Sequence, residues 1–175
     1  MPAPASPEDF AAVRLLVLDV DGVLTDGVTV YGEQGEVAKH YYKPDGLGIV
    51  VLQRAGVAVA VMTTEEAGCV RSRVEDLKIR HYFPGCKHKG ESLKQLCKVT
   101  GIEARAIAYI GDDINDIAAM TQVGLPIATP DARPEVRSIA RHTTRATGGH
   151  GAVREVCDVI LKAKGLDPVE LWERG

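Results

Sequence analysis

Two short stretches of this chain concentrate acids just where apolar, strand-like runs end. Val13 to Val20 leads into Asp19-Val20-Asp21-Gly22-Val23-Leu24-Thr25-Asp26-Gly27, and Ala106 to Ile110 leads into Gly111-Asp112-Asp113-Ile114-Asn115-Asp116. An Asp or Asn after a strand is an ordinary turn or helix-cap choice. One acid would serve that purpose, whereas Asp112, Asp113 and Asp116 supply three within five positions. Asp19, behind Leu15-Leu16-Val17-Leu18, would be costly to bury without a partner. Between the two stretches, Val57 to Met62 ends in Thr63-Thr64, and Lys89 opens a helix after Pro84-Gly85. Carboxylates, a hydroxyl and an ammonium gathered at one edge suit phosphoryl transfer. Asp19 can attack phosphorus as a carboxylate nucleophile. Asp21 can protonate the leaving oxygen and then activate water. Asp19 and Asp112 can share Mg²⁺, a cation that takes oxygen ligands, with Asp113 or Asp116 orienting them. Thr63 can donate to a non-bridging phosphate oxygen, and Lys89 can neutralise charge on the same group.

These residues need a scaffold that brings strand ends together, and the rest of the chain supplies one. Strand-like and helix-like signals alternate, the pattern of an α/β domain with a parallel sheet, in which function gathers at the carboxyl ends of the strands. Strands are expected at 13–20, 57–62, 81–83, 106–110, 125–128 and 142–144, and helices at 45–55, 65–78, 89–100, 114–122, 134–140 and 151–164. Val28 to Tyr41 reads as a β-hairpin around Gly32-Glu33-Gln34-Gly35, a flap after the first strand. The predicted architecture is a Rossmann-like α/β/α sandwich, a mainly parallel sheet between helical layers, over 13–164. Residues 1–12 read as a frayed arm and 165–175 as a tail without a helix partner.

Composition narrows the class. Of 175 residues 45% are hydrophobic and 26% charged, and the net charge is −3, which excludes disorder and does not favour nucleic acid as partner. No apolar run approaches the roughly 18 residues of a membrane span. The four cysteines, Cys69, Cys86, Cys97 and Cys157, show neither disulfide nor zinc spacing, so a reducing, cytoplasmic location is expected.

The stretch Asp19 to Gly27, Thr63, Lys89 and Gly111 to Asp116 resembles the four motifs of the haloacid dehalogenase superfamily of phosphatases. The resemblance implies Asp19 as nucleophile and Asp21 as general acid/base. It also implies a magnesium ion on Asp19, Asp112 and the backbone carbonyl of Asp21, with Thr63 and Lys89 on the phosphate. Neither the stretch between the first motif and Thr63 nor the one after Lys89 leaves room for a cap domain, which is similar to the capless branch containing the 3-deoxy-D-manno-octulosonate 8-phosphate (KDO 8-phosphate) phosphatases. Lys43-Pro44-Asp45-Gly46, Gly85 to Lys89, and Gly148 to Val156 also resemble that branch. The likeness implies a phosphorylated sugar acid as substrate, with Lys43, Asp45, Glu65 and Arg73 on the sugar. It also implies a homotetramer whose hairpins contact neighbouring sites. Thr63-Thr64-Glu65 stands where the octulosonate enzymes carry Thr-Gly-Arg, and Pro44 where they carry Arg. A glutamate there resembles the branch acting on nine-carbon nononate 9-phosphates. Two rival classes fit the same residue types less well. A phosphorylated receiver domain carries its reacting Asp on a middle strand, but here that strand ends in Thr63. A non-catalytic oligomerisation module would not need intact Asp19 and Asp21.

Overall fold

The computed structural model describes residues 2–174. In chain order the elements are α1 (Pro7–Ala11), β1 (Leu15–Leu18), β2 (Thr29–Gly32), β3 (Gly35–Lys39), α2 (Lys43–Arg54), β4 (Ala58–Met62), α3 (Gly68–Asp76) and β5 (His81–Phe83). There follow α4 (Lys89–Thr100), β6 (Ile107–Gly111), α5 (Ile117–Met120), β7 (Leu125–Ala128), α6 (Pro134–Ile139), β8 (His142–Thr143), α7 (Ala152–Ala163) and α8 (Pro168–Glu173). Six strands form one parallel sheet in the order β5-β4-β1-β6-β7-β8, the mainly parallel arrangement the sequence predicts.

β1 sits in the middle and is buried throughout, which explains why its sequence is an unbroken apolar run rather than an alternation. Its side chains feed two cores. Leu16 and Leu18 join Ile49, Leu52, Val74, Val153 and Ile160 under α2, α3 and α7, with Phe10 of α1. Leu15 and Val17 join Leu93, Leu96, Met120 and Val136 under α4, α5 and α6. Each buried Leu or Val of this kind contributes about 1.5–3 kcal/mol. Leu18 lies in register with Val61 on one side and Ile110 on the other. That register brings the residues after β1, β4 and β6 to one sheet edge, and the Asp19 amide donates to the Ile110 carbonyl at 3.1 Å.

β2 and β3 form a separate antiparallel hairpin with a bulge between Val30 and Tyr31. Four departures from the sequence reading have physical causes. The arm over 1–12 is not frayed throughout. Ser6 and Asp9 form a reciprocal cap, Phe10 is buried, and Asp9 holds Arg141 in a two-pronged ion pair. In the tail, α8 packs on α2 through Arg54, which donates to the Trp172 carbonyl at 2.6 Å and lies over its ring. α3 begins only at Gly68, because Glu65 turns its amide back to the Thr63 hydroxyl at 3.1 Å. The helix expected over 114–122 opens as a tight turn at Ile114–Asp116, where Asp113 and Asp116 cap each other.

Candidate active site

Because Asp19 follows a strand buried on both faces, the residue is itself only 5% exposed and its carboxylate must be partnered. The partner is Lys89, the first residue of α4, whose ammonium lies 2.7 Å from Asp19 Oδ1 and 2.7 Å from Asp116 Oδ1. The Lys89 side chain is completely buried, not the solvated helix start that its position allows. Burial works against its charge, but Asp19 and Asp116 outweigh that and hold the ammonium above the usual lysine range. On Asp19 the balance runs the other way. Burial, then repulsion from Asp116, pushes its carboxyl well up despite Lys89.

Asp116 is fully committed inside the protein. Its Oδ1 also accepts the Tyr109 hydroxyl at 2.7 Å, and its Oδ2 accepts the Asp112 amide at 3.0 Å. It therefore aims Lys89 and fixes the loop that carries Asp112. Tyr109, on β6, is a residue that sequence reasoning missed, and its only signal was a lone phenol in an otherwise aliphatic strand. Asp113 is exposed and caps its own turn through the Ile114 amide at 2.6 Å.

Asp112 lies against the first acid loop so closely that only glycine fits opposite it. A Cβ on Gly22 would come 2.1 Å from Asp112 Oδ2, and Gly22 has φ +78°. One buried oxygen of Asp112, Oδ1, has no hydrogen-bond partner. Its carboxyl is pushed up to about 7 by burial first and by the charges of Asp116 and Asp113. Asp19, Asp112 and Asp116 each present an oxygen within 4.8 Å of the others. Hard, crowded carboxylate oxygens, one of them unpartnered, fit a small divalent cation such as Mg²⁺. With Asp116 committed, Asp19 and Asp112 are the side chains free to hold it.

Asp21 Oδ1 accepts Lys39 Nζ at 2.7 Å and the Thr25 hydroxyl at 3.3 Å. Lys39, on β3, was also missed, because nothing local distinguishes it from a solvated strand lysine. Thr63 is buried at the end of β4, and its oxygen already accepts the Glu65 amide, which leaves the hydroxyl proton free to be donated.

Of the residues assigned to the sugar by resemblance, Arg73 and Asp45 lie near one another, the Arg73 guanidinium packing against Gly46 of α2. Lys43 is exposed at the start of α2, and Glu65 is half-buried beside Thr63. Asp45 is buried and spends Oδ1 on the Arg154 amide at 2.7 Å, tying α2 to the first turn of α7. Arg73 pairs with Asp76 at 2.8 Å and lies 5.6 Å from the Tyr41 ring centroid. A concavity of about 740 Å³ lined by Val57, Lys78, Arg80 and His81 lies at the amino ends of β4 and β5, away from these acids.

Comparison with known proteins identifies the family. A family profile for haloacid dehalogenase-like hydrolases matches residues 78–156. The chain is 42% identical over 154 residues to the 3-deoxy-D-manno-octulosonate 8-phosphate phosphatase KdsC of Yersinia pestis, covering 88% of this chain and 82% of that protein. The crystal structure of the Yersinia pestis phosphatase superposes with a TM-score of 0.88 at 40% identity, over 91% of this chain and 86% of that one. The Moraxella catarrhalis phosphatase, solved with a magnesium ion, a phosphate ion and a KDO molecule, gives a TM-score of 0.91 at 36% identity over 97% of both chains.

Proposed function

The chain belongs to the 3-deoxy-D-manno-octulosonate 8-phosphate phosphatase family of haloacid dehalogenase-like hydrolases, and on that footing we propose that it hydrolyses a 3-deoxy-2-keto sugar acid phosphate, KDO 8-phosphate, with Mg²⁺. The observation that carries this reading is the buried Lys89 held at 2.7 Å between Asp19 and Asp116, beside the unpartnered oxygen of Asp112.

Asp19 attacks phosphorus as the bond to the sugar oxygen breaks, and Asp21 gives that oxygen its proton. Water then attacks the aspartyl phosphate, Asp21 takes the water's proton, and inorganic phosphate leaves with Asp19 restored. Asp19, Asp112 and the Asp21 carbonyl would hold the magnesium ion, which supplies charge neutralisation on the phosphoryl oxygens when bound. Lys89 and the Thr63 hydroxyl take the remaining phosphoryl charge. Asp116 and Tyr109 keep Lys89 in place. Asp113 braces the loop as a cap.

The sugar would be read by Lys43, Asp45, Glu65 and Arg73, Asp45 keeping Oδ2 unpartnered while its Oδ1 holds α7. The small domain closes by assembly into a homotetramer. Val28, Val30, Tyr31 and Val37 of the hairpin are 54%, 45%, 70% and 57% exposed, an apolar surface suited to a neighbouring copy. A cytoplasmic location accords with four unpaired cysteines. No helix among the described residues is long and apolar enough to cross a membrane.

One feature favours a second substrate, a nononate 9-phosphate. Glu65 stands beside Thr63 where the octulosonate pattern has arginine, and its carboxylate accepts no hydrogen bond among the described residues. A phosphate-release panel decides between them. KDO 8-phosphate is expected to exceed nononate 9-phosphates and simple sugar phosphates in kcat/KM, with Asp19→Asn and chelated protein inactive. Preference for the nine-carbon substrate, reversed by Glu65→Arg, would replace the first assignment by the second.

A further inference from the structure

Catalysis of this kind needs more from Asp21 than its presence. One carboxylate oxygen must point at the leaving oxygen in the first half-reaction and at water in the second. Asp21 lies on a loop with its side chain 35% exposed, where a carboxylate rotates freely unless something holds it. The main holding group is Lys39, with the Thr25 hydroxyl a longer second donor to the same Asp21 oxygen at 3.3 Å. The Lys39 side chain is 1% exposed, and its ammonium donates to Asp21 Oδ1 at 2.7 Å. Its other contacts are Thr29 Oγ1 at 3.0 Å and Glu36 Oε1 at 3.4 Å. Asp21 Oδ2 accepts no hydrogen bond among the described residues, so the arrangement anchors one oxygen and leaves the other for the reaction.

The anchor belongs to the flap. Thr29 and Lys39 face each other across the hairpin, and Glu36 lies on the same strand as Lys39. Lys39 is thus fixed within β2 and β3 and moves with them. A one-residue slip of the hairpin would turn it to the opposite face. An exposed lysine would gain little from an ion pair, but a buried ammonium must keep its acceptors, so the link between flap and Asp21 is persistent.

Resting on the phosphatase reading above, we infer that Lys39 is a positioning residue for the general acid/base, through which the hairpin of each subunit sets the competence of its own Asp21. The hairpin is then more than a lid. Its placement determines whether the proton donor is aimed.

The test separates aim from architecture by varying the leaving group. An alkyl alcohol leaves only with a proton, whereas p-nitrophenolate leaves without one. Lys39→Met is expected to lower kcat/KM for an alkyl phosphate, glycerol 3-phosphate, about 100-fold, within the range ascribed to general acid catalysis. On p-nitrophenyl phosphate it should lose less than about 5-fold, because the same catalysis has little to contribute there. Lys39→Arg should restore part of the alkyl rate. Equal losses on the two phosphates, or no loss on either, would overturn the inference. If Lys39→Met fails to fold, Thr29→Val decides. It removes one of the lysine's hydrogen bonds and should show the same selectivity at smaller size, and an unselective effect counts against the inference. Wild-type protein inactive on KDO 8-phosphate as well as on both of these phosphates with Mg²⁺ would refute the phosphatase reading itself, a result distinct from an unselective variant.

Discussion

Lys89→Met puts the central arrangement under the most direct stress. Methionine keeps most of the lysine stem's volume and removes its charge, so the packing under α4 is largely preserved. What is lost is the single ammonium lying 2.7 Å from Asp19 and 2.7 Å from Asp116, partners whose side chains are 7% and 0% exposed. Breaking a buried pair by removing one partner costs about 3–5 kcal/mol, because the remaining charge is left uncompensated. For a domain of this size each kcal/mol lowers Tm by about 2–4 °C, so a fall of about 6–20 °C is expected. The loss should depend on conditions in a definite direction. Without the ammonium, the carboxylate cluster is still harder to ionise. The folded variant therefore keeps protons that the unfolded chain releases, and its stability falls as pH rises. Calorimetry in EDTA at pH 8 should show the full deficit. Acidification to pH 5.5 should shrink it by protonating the cluster, and millimolar Mg²⁺ should shrink it by replacing the missing charge. Turnover should fall at least about 100-fold, the scale of losing one positioned charge at a transition state. A deficit below about 3 °C in EDTA at pH 8, or one indifferent to pH and Mg²⁺, would refute the buried-pair account, since the penalty of an unpaired buried charge would then be absent.

In metal-free wild-type protein, the Asp112 carboxyl lies at about 7 against an ordinary 3.8. The stability this group contributes is fully present below its ordinary value and is lost as pH rises through about 7. Mg²⁺ needs the ionised carboxylate, so the Tm gain from added Mg²⁺ should widen between pH 5 and pH 8, and a gain constant with pH would contradict this reasoning. Gly148→Ala tests how the loop before α7 braces the first acid loop, because the new Cβ would lie 1.9 Å from the Gly22 carbonyl oxygen. The clash should cost about 1–3 kcal/mol and lower kcat along with Tm, and wild-type turnover would show that this brace does not position the acids.

Much of the site is legible in the chain because its chemistry is local. The acids after β1 and β6 are too many for turns, and the apolar runs before them mark buried strands whose parallel register places them at one edge. The flap is visible for the same reason, since a hairpin is a contact between near neighbours. Lys39 and Tyr109 were not visible. Each looks like an ordinary residue of its strand, and only the packing of the hairpin on Asp21, and of β6 under Asp116, gives them partners 18 and 7 residues away.

The structure also specified roles that the sequence left general. Asp116 supports Lys89 through Oδ1, and Asp45 links α2 to α7 through Oδ1 while its Oδ2 stays unpartnered. The arm found its place through Phe10 and Arg141, and Arg141 lies 132 residues from Asp9. What the sequence determined by itself is the kind of chemistry and the strands that present it, for these follow from residue type and short-range periodicity. Only the tertiary structure decided which oxygen is anchored, which is free and which cation stands beside each acid. A charge in a buried place is governed by its neighbours in space, and those lie far apart along the chain.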